Sequence, residues 1–197
     1  MSKLYNRKDR LYHQAKESGY RSRAAFKLKE IQEKLKIIKQ NQKVLDLGCY
    51  PGGWLQVGAE LVGKNGLVVG IDRVATENLP NDNIKIILGD LFDESSKENI
   101  LKLNPEKFDV VISDMSPSLT GIKDKDDFQS AELLVLASEF AREVLKESGV
   151  FVAKIFPGKD CDEFVKQERV KWKTFQTLSL KSSRGSSIEK YIVGRGR

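Results

Sequence analysis

Histidine is nearly missing from this chain: His13 stands alone among 197 residues. That single imidazole argues against a histidine-based triad and against a histidine-rich metal centre. Cysteine is almost as scarce. Cys49 and Cys161 lie 112 residues apart, outside any C-x-x-C pair. A disulfide framework and a zinc-finger signature are both excluded, and no metal is expected. Long apolar runs are lacking as well, so no segment matches the roughly 18 consecutive apolar residues of a membrane-crossing helix. The opening MSKLYNRKDR has no apolar signal core. A reducing, cytoplasmic location is the expectation, with no membrane partner.

What remains is an ordinary soluble composition, 40% hydrophobic and 31% charged. Such a chain can bury a core without covalent staples, as one domain over residues 1–197. The charge is unevenly placed. Residues 1–40 hold twelve Lys/Arg against four Asp/Glu, residues 41–170 hold fifteen against twenty-three, and residues 171–197 hold seven against one. Two basic ends around an acidic middle suit a phosphate backbone if the ends fold to one face. The bland alternative is a pair of solubilising tails. Residues 1–20 are expected to form a basic, partly mobile segment.

The order of elements is legible in the hydrophobic pattern. Ser22 is a candidate N-cap for a helix carrying Phe26, Ile31, Leu35 and Ile38. Short apolar runs then alternate with helical stretches near 53–63, 95–103 and 129–147, the last closed by Gly149. Alternation of this kind predicts an α/β fold, with a mostly parallel sheet covered by helices on both faces. Residues 172–180 and 188–193 form a hairpin-like ending, which predicts an antiparallel edge strand. Each apolar run ends on an ionisable residue: Asp46, Asp72, Asp90, Asp114 and Lys154. In open α/β sheets ligands bind beyond the carboxyl ends of the strands. Asp is also common in turns, so each alone has an innocent explanation, but five together form a rim.

Two constellations carry chemistry. The first is Val44-Leu-Asp-Leu-Gly-Cys-Tyr-Pro-Gly-Gly-Trp54, which follows a strand and opens a helix. Gly48 suits a tight turn, and Gly52 and Gly53 suit close backbone approach to a ligand. The segment is neither G-x-G-x-x-G nor a Walker loop. Asp46, just before the turn, would repel a pyrophosphate and attract a ligand bearing an ammonium and a sulfonium. Asp72 is positioned to bind adenosine ribose hydroxyls, and Asp90 the adenine amino group. Trp54 is either a pocket floor or a core residue. A dinucleotide oxidoreductase is the structural competitor. The second constellation centres on Lys154, a lysine inside the apolar run Phe151-Val-Ala-Lys-Ile-Phe156. Such a lysine is functional or a structural ion pair, because unpaired charge is costly to bury.

Taken in order, the segments Tyr20-Arg-Ser-Arg-Ala-Ala-Phe-Lys-Leu28, Asp46-Leu-Gly48, Pro51-Gly-Gly-Trp54, Gly70-Ile-Asp72, Gly89-Asp90, Ser113-Asp-Met-Ser-Pro117, Val152-Ala-Lys-Ile-Phe156 and Ser186-Ser-Ile-Glu-Lys-Tyr191 resemble the FtsJ-type RNA ribose 2′-O-methyltransferases. The likeness extends over nearly the whole chain, and is strongest to the heat-shock-associated branch acting on large-subunit ribosomal RNA. It implies a Rossmann-like class I methyltransferase domain with a seven-stranded sheet. It implies S-adenosyl-L-methionine as cofactor and S-adenosyl-L-homocysteine as product. The family's catalytic Lys-Asp-Lys-Glu tetrad corresponds to Lys27, Asp114, Lys154 and Glu189, with Asp114 also lining the cofactor site; Lys154 is assigned as general base, and cationic stabilisation of the developing alkoxide is its competing role. The implied substrate is a ribose 2′-hydroxyl, in a uridine of ribosomal RNA in the large subunit; separately from the resemblance, a monomer is expected. A tRNA anticodon loop, an mRNA cap, or a non-catalytic role in ribosome assembly are the alternatives. Expected RNA contacts are Arg7, Lys8, Arg10, Arg21, Arg23, Lys181 and Arg184. Cys49-Tyr50 and Ile188 depart from the bacterial pattern without touching the matched chemical groups.

Overall fold

The computed structural model describes residues 9–117, 120–183 and 188–197. Thirteen elements follow in chain order: α1 (Arg10–Glu17), α2 (Ala25–Leu35), β1 (Lys43–Leu47), α3 (Gly53–Val62), β2 (Leu67–Asp72), β3 (Ile84–Leu88), α4 (Glu94–Leu103), β4 (Phe108–Ser113), α5 (Lys123–Val144), β5 (Leu145–Ile155), α6 (Lys159–Arg169), β6 (Thr174–Leu178) and β7 (Lys190–Arg195). The strands form one sheet in the order β3-β2-β1-β4-β5-β7-β6. Neighbours from β3 through β5 run parallel. β7 lies antiparallel between β5 and β6, so the predicted antiparallel pairing is an insertion beside the edge.

Period-two alternation splits the core in two. Val44, Val68, Val110 and Val152 face a cluster closed by Leu28 and Ile31 of α2 and Leu55 of α3. Leu45, Val69, Val111 and Phe151 face the other cluster, with Ile100 of α4 and Leu134 and Phe140 of α5. Successive strand residues therefore bury against opposite helical layers, as a sheet covered on both faces requires.

Two local expectations need correction, and two elements were not predicted. Within the basic N-terminal segment lies α1, capped by Asp9 accepting the Tyr12 N–H at 3.0 Å, with Ala15 buried. Ser22 does not cap α2; the helix begins at Ala25, and the buried Ser22 hydroxyl lies against Gly53. The helix α5 ends at Val144 rather than at Gly149. Arg197 donates to the carbonyls of Arg142 and Leu145 at 2.5 and 2.6 Å, and Leu145 already pairs with Phe108 of β4. Tertiary capture ends the helix earlier than its composition requires. Finally, α6 was not foreseen, because its buried positions include the charged Glu168. That carboxylate accepts from Ser138 (2.6 Å), Trp172 Nε1 (3.1 Å), Lys171 (2.9 Å) and Arg142 (3.2 Å), which docks α6 on α5.

The two ends of the chain meet. Glu30 on α2 accepts the backbone N–H groups of Lys181 and Ser182 at 2.9 and 2.8 Å and pairs with Lys34 at 2.7 Å. Burial alone would raise the Glu30 pKa, but Lys34 and these N–H donors outweigh it and bring it to about 2. A depressed carboxyl stabilises the fold above its ordinary range, and that contribution fades as pH falls toward the folded value. The advantage of the parent protein over Glu30→Gln is therefore expected to be full at pH 6 and to shrink steadily between about 4.5 and 2. Urea midpoints of both proteins across that range check it; a constant difference would be the contrary result.

Candidate active site

β1 continues to α3 and β2 on one side, and β4 continues to α5 and β5 on the other, so the chain diverges between β1 and β4. A crevice opens at such a switch point, beyond the strand ends. Asp46 and Ser113–Asp114 occupy it, Asp72 closes β2, and Asp90 follows β3. The predicted rim is assembled.

On the β1 side the backbone is shaped for close approach. Gly48 has φ +77°, and a Cβ there would run into the Met115 side chain. Gly52 has φ +109° and precedes Gly53, the first residue of α3. An L-residue is strained at both positive-φ positions. Asp72 orders the loop by accepting the N–H groups of Tyr50 (2.9 Å) and Val74 (2.8 Å). Asp90 accepts the Phe92 N–H at 3.1 Å, with Arg73 at 3.8 Å. Trp54 is buried, donates its indole N–H to the Ala24 carbonyl at 2.7 Å, and has its ring centroid 6.0 Å from that of Tyr191. Its side chain is a core strut behind the loop.

Asp46 is the anomaly. It is 1% exposed, and its Oδ2 has no hydrogen-bond partner. Burial first, then the charges of Asp114 and Asp72, push its pKa well above the ordinary range. A buried carboxylate among carboxylates is stabilised by a cation delivered from outside.

On the β5 side the four residues expected to form a tetrad come together. Lys154 Nζ donates to the Asp114 carbonyl at 2.5 Å and lies 3.1 Å from Asp114 Oδ1. Lys27 Nζ is 3.6 Å from the same oxygen and 2.7 Å from Glu189 Oε1. Two further groups were not assigned roles from sequence. Tyr191, the direct β7 partner of Lys154, donates its hydroxyl to Asp114 Oδ1 at 2.6 Å. Ser183 donates to Glu189 Oε1 at 2.6 Å. Their only signal in the sequence is position: Tyr191 ends a segment that carries the resemblance, and Ser183 lies three residues before that segment. Burial would raise the Asp114 pKa, but Lys154, Lys27 and the Tyr191 hydroxyl lower it below the ordinary range. Burial lowers the Lys154 pKa; Asp114 opposes this and Lys27 adds to it, leaving the amine below an ordinary lysine. Burial, then Asp114 and Glu189, raise Tyr191 well above an ordinary phenol, so it remains a neutral donor.

The expected RNA contacts divide. Arg7, Lys8 and Arg184 lie outside the described residues. Arg10 and Lys181 are exposed. Arg21 and Arg23 turn their forks onto the chain itself. Arg21 donates to the carbonyls of Glu77 (2.6 Å) and Asn78 (2.8 Å). Arg23 donates to the Ser182 carbonyl at 2.6 Å and pairs with Asp9.

The family model for FtsJ-like methyltransferases matches residues 20–197. The chain belongs to the FtsJ-like methyltransferase family. It is 41% identical over 196 residues to the Ribosomal RNA large subunit methyltransferase E of Methanococcus maripaludis, across 98% of this chain and 74% of that protein. It is 41% identical over 189 residues to the protein of the same name from Methanothermobacter thermautotrophicus, across 96% and 90%. A solved ribosomal RNA methyltransferase structure from Plasmodium falciparum superimposes with a TM-score of 0.79 at 28% identity, across 90% of this chain and 98% of that one. Methyltransferases of this family use S-adenosylmethionine. Among the described residues no cluster suited to a metal ion occurs, and no helix is long and apolar enough to cross a membrane.

Removing Asp114 would leave two lysines facing each other without their shared carboxylate. Asp114→Ala is expected to cost about 3 kcal/mol of stability, the usual scale for breaking a buried pair. The double variant Asp114→Ala/Lys154→Met should recover most of it. A double-mutant cycle from urea unfolding checks the coupling; strictly additive losses would contradict the hub.

Proposed function

We propose that this enzyme transfers a methyl group from S-adenosylmethionine to a ribose 2′-hydroxyl of large-subunit ribosomal RNA. The observation that carries the reading is the Lys27–Asp114–Lys154–Glu189 cluster, built around a lysine whose side chain is only 5% exposed and whose pKa is lowered. The names of its relatives supply the ribosomal target, and the methylated hydroxyl requires RNA rather than DNA.

The β1 side fits the cofactor. Asp46, with its unpartnered oxygen beside Asp72 and Asp114, would attract the cationic methionine end. Asp72 would hold the ribose, Asp90 the adenine, and the backbone around Gly48, Gly52 and Gly53 would line the approach. The bound donor supplies an activated methyl group and a good leaving group.

The chain's own residues supply alignment and proton removal. A ribose hydroxyl is scarcely ionised near neutrality, so a base raises its reactivity. Lys154, as the neutral amine, accepts the 2′-hydroxyl proton while the oxygen bonds to the methyl carbon and the carbon–sulfur bond breaks. Asp114 holds Lys154 in place, and then balances the ammonium that forms. Lys27, steadied by Glu189, keeps a positive charge near Lys154 that disfavours a second ammonium and favours the developing alkoxide. The basic chain ends, joined through Glu30 and Arg23 to residues 181 and 182, provide the electrostatic field for RNA.

Radiolabelled donor, incubated with total RNA, tRNA, and ribosomal subunits lacking the modification, tests the target. Alkali-resistant label in large-subunit RNA is the expected result. Label confined to tRNA would move the substrate to an anticodon loop, and no label in any acceptor would overturn the catalytic reading. Lys154→Arg should abolish transfer while retaining donor binding, because arginine does not deprotonate. The parent single-turnover rate should climb with pH to a plateau, with an apparent pKa below that of an ordinary lysine.

Asp46 gives an independent check. Its folded pKa is raised, so its ionisation costs stability increasingly as pH rises above the ordinary carboxyl range. Asp46→Asn should melt higher than the parent at pH 8 without ligand, yet bind the donor roughly tenfold more weakly, the scale of one charge-assisted contact. Equal donor affinity by calorimetry would remove Asp46 from the cofactor site.

A further inference from the structure

The β2–β3 connection, residues 73–83, has no helix or strand of its own. It borders the cofactor loop because Asp72, at its start, binds the N–H groups of both Tyr50 and Val74. Leu79 packs against the core, and Asn83 donates to the Gly63 carbonyl at 2.9 Å, while the backbone between is gripped by Arg21. Arg21 reaches it from the turn between α1 and α2 and donates to the carbonyls of two consecutive residues, Glu77 at 2.6 Å and Asn78 at 2.8 Å. The Glu77 carboxylate stands 4.0 Å from the same guanidinium. A third, longer contact, 3.4 Å, runs from Arg21 to the carbonyl of Pro51, inside the cofactor loop.

We propose that Arg21 is a positioning residue for the methyl donor: a strap that fastens residues 73–83 to the Pro51–Gly52 turn, rather than a phosphate contact. The proposal rests on the cofactor assignment made above. Three observations carry it. The first is the guanidinium geometry, because a planar fork satisfies two carbonyls at once where a lysine offers a single point charge. The second is packing. A Cβ at Gly52 would lie 3.3 Å from Arg21 Cδ and 3.5 Å from Leu79 Cδ1, so the Arg21 stem and Leu79 both close onto that turn. The third is anchorage. The Arg21 N–H donates to Gln56 Oε1 at 2.8 Å, and Gln56 donates to the Gly19 carbonyl at 2.9 Å, which ties the strap's root to α3. Tyr20 adds a bond from its hydroxyl to Glu60 at 2.7 Å. The strap therefore joins the turn before α2, the first turn of α3 and an otherwise irregular connection into one wall. Releasing it would loosen residues 73–83 and the surroundings of Asp72, while Lys154 and Asp114 sit on β5 and just beyond β4, away from the strap.

The test separates donor from RNA. Donor affinity of the full-length protein is measured by calorimetry with S-adenosylmethionine in the absence of RNA, for the parent, Arg21→Lys and Arg21→Ala. Both variants are expected to bind roughly tenfold more weakly, the effect of losing one to two net hydrogen bonds. The KM for donor should rise in step, kcat at saturating donor should stay within about twofold, and the slope of log RNA affinity against log salt should not change. Hydrogen exchange should quicken in residues 73–83 and remain slow in α2, which guards against general misfolding. Unchanged donor affinity, together with a salt slope reduced by about one, would overturn the strap and return Arg21 to the RNA contacts. Failure of the parent protein to bind the donor would overturn the cofactor assignment itself, before any substitution is compared.

Discussion

The rim of the sheet is organised by a lysine that an apolar strand would otherwise reject. Lys154 lies inside β5 with its side chain 5% exposed, so its ammonium needs a counter-charge from an adjacent strand. β4 delivers Asp114 on one side. On the other, β7 places Tyr191 opposite Lys154 in register, and the phenol reaches the same Asp114 oxygen. Cross-strand partners share a face of the sheet, which is why the two side chains converge. Had β5 been the edge, Lys154 would be open to water on one flank. The antiparallel insertion of β7 is thus a requirement of the cluster as much as a feature of topology.

Two aspartates at the ends of neighbouring strands show how environment divides labour. Asp114 is met by two ammonium groups and a hydroxyl, and its pKa falls. Asp46 is buried with no such partners and feels two other carboxylates, and its pKa rises. The chemical group is the same and the directions are opposite. Asp114 is electrostatically complete within the chain. Asp46 keeps an oxygen without a partner beside two other carboxylates, an environment that favours a cation and disfavours a pyrophosphate.

Strand positions and the residues closing them were legible because burial on both faces demands continuous apolar runs, and each run stops where the rim begins. The tetrad needed the family resemblance, since no local pattern links Lys27 to Glu189. α6 was hidden because one of its buried positions is Glu168, satisfied by Ser138 and Arg142 of α5 and by Lys171 and Trp172 of the turn that follows α6. α1 was hidden by its polarity, with Ala15 its only buried residue. Tyr191 and Ser183 were present in the sequence without a role, because hydrogen bonds to a carboxylate depend on register and loop placement. The end of α5 was misplaced for the same reason: Arg197, far along the chain, fixes it.

Arginine counts illustrate the difference between a field and a contact. Arg21, Arg23, Arg195 and Arg197 each donate to backbone carbonyls, at Glu77 and Asn78, Ser182, Leu35, and Arg142 and Leu145. Several of these acceptors terminate helices or loops, where carbonyls have no partner within their own element. The fork that makes arginine a good phosphate ligand makes it equally good at this task. Committing the fork does not cancel the charge. These four side chains still add to the positive potential of the chain ends, which Glu30 and Arg23 hold together. The basic ends can therefore draw in a polyanion over a distance comparable to the Debye length, although Arg21 and Arg23 are engaged with the chain. Long-range attraction is set by how many cations a face carries. Short-range grip is set by which of them retain donors; among the described residues Arg10 and Lys181 are exposed.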